Sequence, residues 1–179
     1  LADVVPLTGE NRVIAKLGLD LLSKGPHTVG LRSLIEICGL AEKKIDSYQI
    51  GFVLAPRVNA AGRMSTPDIA AKLLLLSDDE MVSEARVLAK QLDNENLKRR
   101  KEEAETLEQA IKLVESNKDI GKRSIIVVAA EGWHRGVIGI VASRLVGKFS
   151  RPSIVLSIDG ALAYGSCRSI ASLNILEAL

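Results

Sequence analysis

The stretch that most constrains the fold is SIIVVAAEGWHRGVIGIVASRL, residues 124–145. Residues 124–130 form a short run rich in β-branched side chains, the pattern of a strand covered on both faces. After the loop 131–136, Val137, Val141, Leu145 and Phe149 recur every four positions, so a helix from about Val137 presents one stripe to a core. Gly132, Gly136 and Gly139 admit close backbone approach. The start of the helix offers unpaired N–H donors and a positive dipole end, which together make a candidate anion site. His134 and Arg135 lie in the same loop, and Trp133 supplies a flat apolar wall. The spacing is neither G-x-G-x-x-G nor a phosphate loop ending in G-K-S/T. Strand–helix packing by the glycines and a surface position for His134 account for the same residues.

The remaining chain is read around this unit. Residues 152–158 form a second strand, Asp159-Gly160 a turn and residues 161–164 a third strand, so a parallel crossover carries an appended hairpin. The hairpin leads into Gly165-Ser166-Cys167-Arg168-Ser169, a loop with backbone access, hydroxyl donors and an Arg suited to a terminal phosphate. Such Ser- and Arg-bearing turns are also common without a ligand. Upstream, residues 1–7 read as the end of an apolar strand. Asp3 there suits a divalent-metal ligand at a carboxyl strand end, although a loop-capping role is the commoner use of Asp at such a turn.

Thr8 opens a helix to about Ser23 with Val13, Ile14, Leu17 and Leu21 turned inward, and Thr28 opens another that ends at Gly39. A short helix near Val53 then meets Pro56, which disfavours helix at Ala55. Arg57, Asn59 and Arg63 follow among small residues, directing two guanidiniums and an amide into one space. They form either a phosphate-binding loop or a loop salt-bridged to acidic neighbours. Thr66-Pro67-Asp68 starts a helix to about Leu76.

Ser77-Asp78-Asp79-Glu80 reads as a capping box opening one helix to about Asn117. That helix is apolar at both ends and polar over 93–103, as expected of a connector between two bodies. Its centre carries Asn94, Asn96 and the densest basic patch, Lys98-Arg99-Arg100-Lys101, as a cleft lining or as a solvated face with i,i+4 pairs.

Composition excludes several classes. A net charge of +2 over 179 residues gives no global basic field, so contacts with nucleic acid must be local. No apolar run approaches the ~18 residues of a bilayer span, and no signal-peptide pattern opens the chain. Cys38 and Cys167 have neither zinc nor disulfide spacing, which fits a reducing, cytoplasmic setting. His27 and His134 have no evident nucleophile partner, so no Ser-His-Asp set is expected. The chain begins without Met and stops in mid-pattern, as a piece of something longer would.

LADVVPL, APRVNAAGRM, EGWHRGVIGIVASRL and GSCRS, in this order and at these intervals, resemble the later motifs of the RecJ family. These are 5′→3′ single-strand-DNA exonucleases of the DHH phosphoesterase superfamily. The likeness covers essentially the whole chain, and other DHH enzymes typically carry a GGGH-type loop in place of GSCRS. The resemblance implies an α/β architecture: residues 1–76 as the C-terminal helical part of a DHH catalytic domain and 77–117 as a long interdomain helix. Residues 118–179 would be a βαββ DHH-associated domain with a mixed sheet, truncated at its C-terminus.

The resemblance also implies chemistry: Mn²⁺ or Mg²⁺ activating water against a phosphodiester, with Asp3 the late metal ligand and most other ligands upstream. It assigns Arg57, Asn59 and Arg63 to the cleft, His134 to its lining, and Ser166 and Arg168, with neighbouring Ser169, to a 5′-phosphate grip. The implied partner is single-stranded DNA, with a helicase or single-strand-binding protein as a candidate and DNA repair and recombination as the setting. Two departures stand out. Cys167 replaces a Gly of the phosphate loop, so a Cβ and a thiol are expected to crowd it and alter 5′-end affinity. The Asp-rich and DHH motifs are absent, so this chain alone is expected to be inert. The rival readings are a DHH enzyme acting on short oligonucleotides or cyclic dinucleotides, and a non-catalytic DNA-binding relative.

Overall fold

The computed structural model describes residues 1–2, 5–117, 119–120 and 123–178. The chain divides into two units, Leu1–Leu97 and Lys98–Leu179, and the division falls inside one long helix. The order is the expected α/β one: helices, a long helix, then a β-α-β-β arrangement on a mixed sheet.

The first unit contains α1 (Gly9–Lys24), α2 (Val29–Ile37), α3 (Ser47–Gln49), α4 (Ala55–Met64), α5 (Asp68–Leu75) and the first turns of α6 (Val82–Ser116). Its core gathers Leu34, Ile35, Leu73, Ala85, Ala89 and Leu92 with their neighbours. Gly30 lets α2 and α5 close on each other: a Cβ built there would lie 1.7 Å from the Leu73 carbonyl oxygen. Three expectations are corrected in this unit. The described residues of 1–7 lie in no strand. Helix α1 buries none of its residues, and Val13, Ile14, Leu17 and Leu21 stay exposed, because among the described residues nothing covers that stripe. The capping box at 77–80 instead makes a 3₁₀ turn, Asp79–Met81, in which the Asp78 carboxylate accepts from the Glu80 N–H, so α6 begins at Val82.

A further correction concerns Pro56. Rather than ending a helix, it sits in the first turn of α4, where its missing N–H costs little. A π-helical turn, Ile50–Leu54, leads into it, and the Ala55 N–H bonds back to the Ile50 carbonyl. This wide turn opens the backbone around the carbonyl that the proline ring would otherwise crowd, so Ala55 keeps helical angles (φ −59°, ψ −38°). Arg57, Asn59 and Arg63 therefore stand on a helix and not in a loop.

Helix α6 has 35 residues, about 52 Å at the α-helical rise. Its polar middle is not a solvated face throughout: Glu95 and Asn96 are buried, and Arg99 and Glu103 form an ion pair with both side chains largely enclosed.

In the second unit β1 (Ile126–Glu131) pairs in parallel with β2 (Ser153–Asp159), which pairs antiparallel with β3 (Leu162–Arg168). Helix α7 (Arg135–Phe149) makes the crossover and a last turn, α8 (Ile175–Ala178), follows the sheet. The repeat Val137, Val141, Leu145 is fully buried, as its four-residue spacing requires. The strand 126–131 is covered on one face only: Ile126 and Val128 are buried, while Val127 and Ala129 are exposed. The third strand extends through residues 165–168, where a loop was expected, because these residues continue the ladder opposite Ser153–Leu156.

Candidate phosphate-binding site

Register decides which side chains of β3 can act together. Ser166 lies opposite Val155 and Arg168 opposite Ser153, and both β2 residues are buried on the face covered by α7. Side chains alternate along a strand, so Tyr164, Ser166 and Arg168 share that face. Arg168 Nη1 donates to Ser166 Oγ at 3.2 Å and to the Cys167 carbonyl at 2.7 Å. Cys167 falls opposite Ile154, on the other face, so its thiol does not enter the space shared by Ser166 and Arg168. The crowding expected from Cys167 is thereby corrected. Ser169 is turned away into the next bend, where its hydroxyl donates to the Leu173 carbonyl.

Helix α7 approaches this pair through Gly139. A Cβ built at Gly139 would stand 3.0 Å from Ser166 Oγ and 3.1 Å from Arg168 Nη2. The glycine in the helix is what lets a hydroxyl and a guanidinium lie side by side beneath it. His134 is the N-cap of α7, and its Nδ1 accepts from the Gly136 N–H at 3.0 Å. That bond leaves the proton on Nε2 and satisfies one of the donors at the helix start. Trp133 is not a wall of the site. It is 5% exposed, belongs to the core and donates from Nε1 to Gln109 at 2.8 Å.

In the first unit Arg57 is held by two acceptors. Its Nε donates to Asp93 Oδ1 at 2.8 Å, and its Nη1 donates to the Val53 carbonyl at 2.7 Å. Asn59 and Arg63, an i,i+4 pair, occupy another face of α4. The expectation that both guanidiniums and the amide point into one space does not hold for Arg57. The half-buried Cys38 lies close enough to feel this ion pair. Burial pushes its thiol pKa up, Arg57 draws it down and Asp93 adds to the rise. Sequence reading missed Asp93, although a carboxylate amid a polar helical stretch was the available signal.

Asp3 lies outside the described residues. Among the described residues no group of three or more His, Cys, Asp or Glu is placed to hold a metal ion. Their donor set does not make a metal centre, and no helix of the described residues is long and apolar enough to cross a membrane.

No family model matches the chain. Over its whole length it is 43% identical to the single-stranded-DNA-specific exonuclease RecJ of Bacillus subtilis (strain 168), of which it covers 22%. It is 36% identical to the RecJ of Escherichia coli (strain K12), of which it covers 31%. The crystal structure of RecJ in complex with Mg²⁺ from Thermus thermophilus matches 99% of the chain with a TM-score of 0.80 at 33% identity, the match covering 26% of that protein. A crystal structure of exonuclease RecJ bound to manganese matches 99% with a TM-score of 0.79 at 35% identity, covering 42% of that protein.

Proposed function

Because the chain is RecJ-like in sequence and fold over its whole length, we propose that it is the strand-gripping portion of a single-stranded-DNA 5′→3′ exonuclease. The observation that carries this reading is the pairing of Ser166 and Arg168 on one face of β3, beneath Gly139. A hydroxyl beside a guanidinium offers several donors to the oxygens of a terminal phosphate, and the charged donor makes those bonds strong. Arg57, Asn59, Arg63 and His134 are assigned to DNA binding, and Ser169 to supporting the bend after Arg168.

Divalent metal belongs to the same proposal. Two relatives were solved with Mg²⁺ and with manganese. Such an ion polarises a phosphodiester and activates water. Asp3 is the only ligand we assign to it here, the others coming from residues this chain does not contain. The chain spans between 22% and 31% of the length of the curated relatives named above, and the part we assign to it is binding, without cleavage. We further assign residues 1–76 to a catalytic domain, 77–117 to a connector and 118–179 to an associated domain. The setting is cytoplasmic DNA repair and recombination, alongside a helicase or single-strand-binding protein.

The test is binding of 5′-phosphorylated and 5′-hydroxyl single strands to the purified chain, followed by fluorescence anisotropy. The phosphorylated strand should bind more tightly, and Arg168→Ala should remove the difference. Equal binding of both ends by the unaltered chain would overturn the phosphate assignment, and Mn²⁺-dependent digestion by the chain alone would overturn its inertness.

A further inference from the structure

Tyr164 stands two residues before Ser166 on the same face of β3, about 6.8 Å away along the strand. Its ring does not lie bare. The Arg135 guanidinium, at the first position of α7, sits 3.2 Å from the ring centroid. The same guanidinium is ion-paired through Nη2 to Asp159 at the end of β2. Tyr164 below and Asp159 at the edge thus hold Arg135 flat, and its side chain remains 49% exposed. A planar cation fixed in this way has one π-face occupied and the other available for stacking. Arg guanidinium planes stack well on nucleobases, and a lysine ammonium does not reproduce this.

Resting on the phosphate assignment above, we propose that Arg135, levelled by Tyr164 and Asp159, is the shelf on which the base of the 5′-terminal nucleotide stacks. Three features support it. Arg135 and Gly139 lie on adjacent turns of α7, so the shelf and the phosphate grip lie under one helix. Tyr164, Ser166 and Arg168 form one row on β3, which sets shelf and grip side by side. The separation along that row is of the order of the span from a 5′-phosphate across its own ribose to the base. Stacking of this kind tolerates any base, because every base has a π-face. The site would therefore read the presence of a terminal base and not its identity.

The experiment uses the 179-residue chain and 5′-phosphorylated single strands whose first nucleotide is intact, abasic or 2-aminopurine. An abasic first position should weaken binding about tenfold, the loss expected of one stacked base. First-position 2-aminopurine should lose fluorescence on binding. Arg135→Lys, which keeps the charge and removes the plane, should abolish both effects while the Arg168-dependent preference for a 5′-phosphate persists. The proposal is overturned if intact and abasic ends bind alike, if Arg135→Lys behaves as the unaltered chain, or if the second base carries the dependence. If phosphorylated and hydroxyl ends bind alike in the unaltered chain, the phosphate assignment itself falls and the shelf falls with it. Thermal unfolding of Arg135→Lys, expected to match the parent, separates loss of stacking from loss of fold.

Discussion

Asp93 accepts a 2.8 Å hydrogen bond from Arg57 Nε, joining α6 to α4 across 36 residues of sequence. Both side chains are mostly enclosed, at 19% and 25% exposure, so neither partner is cheaply rehydrated if the other is lost. Arg57→Ala and Asp93→Ala should each cost about 1–3 kcal/mol. The double variant should cost less than the sum, with a coupling of at least about 0.5 kcal/mol. Urea unfolding of the four proteins measures this, and additive costs would show that the pair contributes nothing as a pair.

Cys38 reports on the same pair. Burial raises its thiol pKa, Arg57 lowers it and Asp93 raises it further. Asp93→Asn should therefore speed alkylation of Cys38 at mildly alkaline pH, and Arg57→Gln should slow it. A raised pKa means that the folded state holds the thiol proton more tightly. The stability this contributes is complete below the ordinary thiol range, near ~8.5, and is lost as pH rises through the raised value. A pH series of iodoacetamide rates, with urea midpoints above and below that range, checks both signs.

Gly139→Ala asks whether the close approach of α7 serves binding. Alanine favours helix by up to about 1 kcal/mol over glycine, but its methyl would meet Ser166 Oγ at 3.0 Å and Arg168 Nη2 at 3.1 Å. Stability should change little, while preference for a 5′-phosphate falls on the order of tenfold, the loss of about one charge-assisted bond. Anisotropy titrations beside thermal melts distinguish this from a general loss of fold.

Gly30→Ala should act in the opposite sense, on stability before binding. The added carbon would fall 1.7 Å from the Leu73 carbonyl oxygen, and the Gly30 N–H already bonds the Leu76 carbonyl at 3.0 Å. Backbone has to move, so the loss should exceed about 3 kcal/mol, in the upper range for single substitutions. Urea unfolding of the variant measures it.

The β-α-β-β order was legible because its signals are local and redundant. The buried stripe Val137, Val141, Leu145 and the hairpin turn at Gly160 (φ +58°) each agree with the pattern around them. The strand character of 165–168 was not legible, since Gly, Ser, Cys and Arg carry no strong strand preference and only pairing with β2 decides it. Ser166 and Arg168 were readable as residues, but their shared face needed the register. The cover over β1 was overestimated because β-branched residues look alike on a buried and an open face. Asp93 could not be matched to Arg57 from sequence, because nothing local links positions so far apart.

The wide turn at Ile50–Leu54 has a consequence for how α4 can vary. A π-turn is in effect one surplus residue absorbed within a helix, so the residues after it keep the angular phase that an unbroken α-helix one residue shorter would give them. Deleting a single residue from this turn would return the backbone to ordinary α-winding and leave Arg57 on the side of α4 that meets Asp93. Tightening the turn with every residue kept would instead rotate the following side chains by about 100°. Arg57 would then swing off Asp93, and Asn59 and Arg63 would shift with it. The turn therefore works as slack in the coil: a one-residue deletion is taken up there, and the cations of α4 hold their side.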